Sequence, residues 1–219
     1  MFGNKLINTN AGGGGCVSTV DNYNPFPDGG GVALYQLNGD ATDVSGNYNG
    51  TATAVTYGAG EFGQAGVFNG SSSYINTNLS LPFNGVKTIS MWFKANSLQN
   101  AVLFEAGPNI AYYGYSLVTV NDGRFYFIIN NSAHSAFIGA YTTGATYAAN
   151  TWYNVVSTQT GSVQKTYLNG VEIGTVSYST TSESYPIYLA GGSPSGFSGL
   201  LNGSIDQVRM FNRALRPYE

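Results

Sequence analysis

The sequence predicts an all-β protein, an antiparallel two-sheet β-sandwich of the jelly-roll type. Three observations predict it. Charged residues make up only 9% of the 219-residue chain, against about 25% in an average soluble protein, and Thr, Ser, Tyr, Val, Asn and Gly dominate, which is sheet-and-turn chemistry. Short apolar runs alternate with turn residues, including an Asp-Gly and an Asn-Gly pair set between sheet-formers. No helical period longer than a turn or two occurs, whereas parallel strands need crossovers of about a dozen residues or more. Twelve Phe and 17 Tyr also suit the roughly 10 Å layer between packed sheets.

Residues 1–31 read as a glycine-rich arm. Glycines at 12–15 and 29–31 bracket a polar stretch with Pro25 and Pro27, which is punctuation rather than a packed element. Phe2, Leu6 and Ile7 are the arm's side chains suited to anchoring on a partner. The domain proper is expected over 32–219. Its first strand is 32–37, and a polar loop runs from Asn38 to about Ala52. Strands at 64–68 and 73–77 flank Asn69-Gly70. Over 87–95, Ile89, Met91 and Phe93 face one way, and Thr88, Ser90, Trp92 and Lys94 the other. A short strand covers 101–105. Strands 115–120 and 124–130 join through Asn121-Asp122-Gly123, and 162–168 and 171–176 through Asn169-Gly170. Both are strong hairpin signals. Strands at 151–158, 186–190 and 204–211 complete the set. Trp92 and Trp152, in period-two segments, read as structural.

Eight Lys plus Arg against eleven Asp plus Glu give a net charge of −3. A basic patch for nucleic acid cannot be built from so few cations, so that partner is not expected. No apolar run approaches the length of about 18 residues that a membrane-spanning helix needs, so no membrane insertion is expected. The N-terminal residues lack the apolar segment of a secretory signal. Work outside a cell would then require another exit route or carriage on a particle. The single Cys16 excludes an intrachain disulfide and a multi-cysteine metal site. With no hydrophobic segment before it, a lipid anchor is not expected, which leaves a free thiol or an intermolecular contact.

His134 is the only histidine, so a histidine-rich zinc site cannot form, and no catalytic triad is expected. Sugar binding needs accessible aromatic rings beside amides. Tyr112, Tyr113, Tyr141, Tyr147, Tyr185 and Phe197 fall in or beside expected loops, with Asn109, Asn130 and His134 near them. Packing on the sandwich rim or a subunit interface draws on the same residue types, so both readings stand.

Four stretches carry a family resemblance over about residues 32–216. They are Val32-Ala33-Leu34-Tyr35 with the loop Asp43-Val44-Ser45-Gly46, then Phe68-Asn69-Gly70 with Tyr74-Ile75, then Ser90-Met91-Trp92-Phe93 with Thr151-Trp152-Tyr153 and Leu168-Asn169-Gly170, and finally Ile205-Asp206-Gln207-Val208-Arg209 with Asn212-Arg213-Ala214-Leu215. The chain resembles the laminin-G-like, concanavalin A-like jelly-roll family. One such fold hosts many tasks. The resemblance implies a carbohydrate-binding module, an adhesion domain, or a part of a surface or virion protein. The chain's style is also similar to head and tail proteins of marine bacterial viruses. That implies a non-enzymatic decoration or adhesion protein on a virion surface, assembled in the host cytoplasm and otherwise extracellular. It would be held to other virion proteins or its own copies by the arm, and would touch surface glycans. A free-standing carbohydrate-binding module is the alternative.

Family members often hold a structural calcium, which implies Asp40, Asp43, Asn47 and Asp206 as ligands, with loop carbonyls completing the six to eight oxygens. Asp43 capping the Ser45-Gly46 turn by its side chain is the competing account. The family's usual acidic residue after the closing-strand Asp is here Gln207. Hydrolases of this fold carry acidic residues at alternating strand positions, and none of the five Glu has an acid at i+2 or i+4, so no enzyme is expected.

Overall fold

The computed structural model describes residues 26, 30–107, 115–130, 137–178, 182–191 and 199–216. In chain order the strands are β1 (Gly31–Tyr35), β2 (Thr51–Thr53), β3 (Thr56–Ala59), β4 (Gln64–Asn69), β5 (Tyr74–Pro82), β6 (Lys87–Ala95), β7 (Ala101–Ala106), β8 (Tyr115–Thr119), β9 (Phe125–Asn130), β10 (Phe137–Tyr141), β11 (Tyr153–Thr160), β12 (Val163–Leu168), β13 (Val171–Ser177), β14 (Ser184–Leu189) and β15 (Asn202–Phe211). They form two sheets. One runs β13-β12-β11-β6-β15-β4-β3, with β1 also on β15, and the other runs β10-β9-β8-β7-β14-β5-β2. Every pairing is antiparallel. The all-β sandwich expected from composition and turn spacing is what the chain forms.

The core follows from period two. Ile89, Met91 and Phe93 of β6 join Val155, Leu168, Ile205, Val208 and Met210 from one sheet. Ile75, Leu103, Phe104, Leu117, Phe127, Ile187 and Leu189 meet them from the other. Phe93 lies at the centre of a ring cluster, 5.7 Å from Phe125 and 5.6 Å from Tyr147 in edge-on contacts. One register shift is needed in β15. Between Asp206 and Arg209 the pairing with β6 slips at Gln207, whose φ is +49°. This bulge keeps Asp206 outward while Val208 and Met210 return to the core.

Both turn signals hold. Val120 N donates to Arg124 O at 2.8 Å across the β8–β9 turn. Asn169 and Gly170 have φ of +48° and +81° in the β12–β13 turn, the primed geometry that Asn-Gly favours. Asn69-Gly70 differs. Its flanking strands lie in different sheets, so the segment is a crossover, not a hairpin. Asn69 Oδ1 accepts from the backbone N–H of Ser71, Ser72 and Ser73 at 2.9, 2.9 and 3.2 Å, making an Asx turn that redirects the chain. The strands β2, β3 and β10 escaped the sequence reading because they are short or polar, with Thr, Ala and Gly where an apolar alternation would show.

Phe26 packs edge-on to Phe211 at 5.3 Å, outside the main core, with Leu34 and Leu215. Phe26 is thus pinned to the outer face of the first sheet.

Candidate functional site

The loop after β1 folds around one carboxylate. Asp43 is buried, and its Oδ1 accepts from Leu34 N at 2.8 Å and Ser45 N at 3.0 Å. Its Oδ2 accepts from Asn47 N at 3.3 Å, from Tyr48 N at 3.1 Å and from the Ser45 hydroxyl. Asp43's own N–H donates to Asn49 Oδ1 at 3.1 Å. Beneath it the Tyr35 hydroxyl meets the carbonyls of Tyr48 and Thr77, at 2.7 and 2.8 Å. Burial, and after it the Asp43 charge, holds this phenol far above its ordinary range.

Calcium needs oxygen ligands turned toward one point. Here N–H and O–H donors already face both oxygens of Asp43. Asp40 is exposed and accepts from Thr42 N at 2.8 Å, and Asn47 Nδ2 donates to Ser45 Oγ at 3.4 Å. Asp206 serves a different loop, its Oδ2 accepting from Phe62 N at 2.8 Å. Among the described residues no three of His, Cys, Asp and Glu gather into a group able to hold a metal. Asp40, Asp43, Asn47 and Asp206 therefore do not gather as one calcium set, and Asp40 and Asp43 instead cap backbone N–H groups of their own turns. The physical reason is local: an Asp followed by Val-Ser-Gly-Asn-Tyr finds five donors within five residues of itself or on the adjacent strand.

Asp206 is fully buried on the outer face of the first sheet, under the 60–62 loop. Gly60 makes this possible, since a Cβ there would lie 2.7 Å from Asp206 Oδ2. Burial pushes the Asp206 carboxyl up to about 6, although backbone N–H groups nearby oppose the shift. Its Oδ1 is buried without a hydrogen-bond partner among the described residues.

The aromatic candidates separate. Tyr147 is buried, its ring in the core against Phe93 and its hydroxyl accepting from Gln99 N at 3.0 Å. Both ring and hydroxyl are engaged, so the loop position expected of it as a ligand contact is in fact a core tether. Tyr185 lies in β14 and packs on Phe83 at 5.6 Å, half-buried against the core. Asn130 ends β9, paired with Phe137. Asn109, Tyr112, Tyr113, His134 and Phe197, and the arm residues Phe2, Leu6, Ile7 and Cys16, lie outside the described residues.

Tyr141 is the remaining candidate, and it is 50% exposed at the end of β10. Its ring centroid lies 4.4 Å from that of Tyr126, its cross-strand partner on β9. The Arg124 guanidinium sits 4.5 Å from the Tyr141 centroid. Arg124 is in turn gripped by Asp122, through Nε and Nη2 contacts of 2.7 Å each. These bonds hold the exposed Asp122 carboxyl below its ordinary range. Tyr126 rests on Val102, Val118 and Ile128, a small apolar cluster on the outer face of the second sheet. Register explains the row, since Val102 pairs with Val118, Val118 with Tyr126, and Tyr126 with Tyr141. The result is an exposed phenol ring on a rigid base, flanked by a guanidinium and a carboxylate. Such a platform can stack on an apolar sugar face and bond its hydroxyls. Arg124, Asp122 and Tyr126 were missed in the sequence. Their signal was the alternation in β9, where Phe125, Phe127 and Ile129 point inward and leave Tyr126 outside.

The sequence profile described as the concanavalin A-like lectin/glucanases superfamily matches residues 68–219. The chain belongs to that superfamily, in its laminin-G-type branch. Among solved structures it is similar to domain 4 of AbnA, an extracellular arabinanase of Geobacillus stearothermophilus, solved in complex with arabinotriose. That similarity is at 24% identity and a TM-score of 0.71, over 86% of this chain and 95% of that one. The receptor-binding domain of botulinum neurotoxin type G aligns at 15% identity and a TM-score of 0.64, over 87% of this chain and 50% of that one. The sialidase CBM40 of Ruminococcus gnavus, bound to α2,3-sialyllactose, aligns at 16% identity and 0.53, over 60% and 78%. No curated protein matches the sequence.

Proposed function

We propose that this chain is a non-catalytic carbohydrate-binding domain. The exposed Tyr141 ring, held by Tyr126 and flanked by the Arg124–Asp122 pair, carries the reading. It is supported by the likeness to an arabinanase domain that binds arabinotriose and covers nearly the whole of that chain. The test is a glycan array probed with the full chain, followed by titration of the best short glycan. Tyr141→Ala is expected to weaken that binding by about tenfold while the melting temperature holds, the usual scale for an aromatic anchor. Silence across the array refutes the function. Unchanged affinity in the variant refutes the site.

The setting that accompanies this reading is a virion surface, with the arm joining the domain to neighbouring proteins. The pinning of Phe26 on Phe211 favours it, because residues 1–25 can then engage a partner while the domain stays intact. Removing residues 1–25 should abolish incorporation into particles and leave the domain folded. Normal incorporation refutes the assembly role.

A further inference from the structure

The outer face of the first sheet carries a second set of aromatic rings that the Tyr141 platform does not use. Trp92 of β6 pairs with Asn154 of β11 and with Asp206 of β15. One step along, Val156 of β11 pairs with Ser90 of β6 and Tyr167 of β12. Met91, Phe93, Val155 and Leu168 point into the core, so Ser90, Trp92, Asn154, Val156 and Tyr167 share the outer face. Trp152 joins them, with the Lys94 ammonium 5.1 Å from its ring centroid. Asn154 thus sits among three half-buried aromatics. Trp92 is beside it, Trp152 two residues before it, and Tyr167 on the diagonal.

The chain itself borders this strip on both sides. Phe62 stands edge-on to Trp92 at 5.6 Å, and Phe26, Phe211 and Leu215 cluster beyond Thr88, whose Oγ1 accepts from Leu215 N at 2.9 Å. Polar groups along the strip are available. The Trp92 indole N–H, the Ser90 hydroxyl and Asn154 Oδ1 make no hydrogen bond among the described residues, and Asn154 Nδ2 makes one, long, at 3.4 Å to Met91 O. None of these atoms is buried without a partner. The lysines at its edge are engaged, Lys165 with Glu172 at 2.8 Å and Lys94 over Trp152. That favours a neutral ligand over an acidic one.

We propose that this strip binds a neutral oligosaccharide chain laid across β6, β11 and β12. This rests on the carbohydrate-binding reading and extends it from a single sugar to a chain. Trp92 and Tyr167 are two strands and two residues apart, about 12 Å from strand spacing and rise. One sugar ring does not bridge that distance, and a chain of several does. Trp92 and Tyr167 stack on separate rings, and Asn154 with Ser90 bonds the hydroxyls between them.

The test is calorimetric titration of the full chain with arabinose, arabinobiose, arabinotriose and longer arabino-oligosaccharides, and with xylo- and manno-oligosaccharide series beside them. Affinity should climb with chain length in at least one series. Trp92→Ala and Tyr167→Ala should each remove about tenfold from the longest ligand and little from the shortest. Trp92→Phe and Asn154→Ala, with unchanged melting curves, separate lost stacking from lost folding. A length dependence that survives both alanine variants overturns the strip and leaves the carbohydrate-binding reading standing. No binding to any neutral glycan overturns both.

Discussion

Replacing Asp43 tests the claim that the loop after β1 is held by hydrogen bonds to one carboxylate. The side chain accepts five bonds, four from backbone N–H groups and one from the Ser45 hydroxyl. Bonds to a charged acceptor contribute about 1.5–3 kcal/mol each, but they are not additive, and exposed donors regain water. The Leu34 N–H is the buried one, and stranding it alone costs about 1–3 kcal/mol. Asp43→Ala should therefore lose about 3–5 kcal/mol, a large part of the 5–15 kcal/mol typical of a domain. Asp43→Asn should lose nearly as much, since its amide turns a donor toward donors. Urea unfolding followed by tryptophan fluorescence measures this as a shift in midpoint at constant slope. A loss below about 1 kcal/mol in both variants would refute the reasoning. So would a wild-type midpoint that falls in chelator and is restored by calcium, because the oxygens would then be serving a cation.

Asp206 links stability to pH. Its folded value of about 6 lies above the ordinary 3.8, so its contribution is full below about pH 4 and is lost as pH rises through about 6, on the order of 2–3 kcal/mol. Melting curves from pH 4 to 8 should show that slope in the wild type and a shallower one in Asp206→Asn. Lys87 works in the opposite direction. Its buried ammonium donates to the carbonyls of Pro82, Phe83 and Gly85 at 2.7, 3.0 and 3.5 Å and lies 4.4 Å from the Tyr115 centroid. Burial pulls it down to about 7 from 10.5, so the unfolded chain binds the extra proton between those values and stability rises with pH there. Lys87→Met should flatten that rise, and an identical slope in the variant would assign it to another group. Removing residues 1–25 should leave the melting temperature unchanged, whereas Phe26→Ala should cost about 2–3 kcal/mol, since a large buried ring is deleted.

The fold was legible because period two and turn chemistry are local. Ile89, Met91 and Phe93 announced their inward face, and Asn169-Gly170 announced its turn. The partners of a strand are not local, which is why Asn69-Gly70 resembled a hairpin and proved to be a crossover between sheets. The site was legible in part for the same reason. Tyr141 stood out as an aromatic beside polar residues. The same description fitted Tyr147, whose ring enters the core, because residue type does not encode which side of a segment meets the opposing sheet. Asp43 and Asp206 were paired by resemblance, yet Asp43 accepts from the donors of its own turn and the adjacent strand while Asp206 accepts from Phe62 N in a different loop, and only the three-dimensional donor set reveals that.

The alternation that builds the core also decides what is left for a ligand. Each strand spends one face on the inner layer, so an aromatic at an odd position relative to Phe93 or Phe125 must lie outside. Trp92 and Tyr167 follow that rule on one sheet, and Tyr126 and Tyr141 on the other. An outward aromatic in isolation is ordinary surface. These are set in rows by cross-strand register and braced from below by Val102, Val118 and Ile128 on one sheet, and beside Trp92 by Phe62 on the other. Rings fixed this way lose little conformational freedom when a sugar stacks on them, so more of the contact energy appears as affinity. The Phe62 brace is itself held by the Asp206 carboxylate through the 2.8 Å bond to Phe62 N. The closing-strand aspartate that resembles a metal ligand therefore anchors the loop that stands beside Trp92.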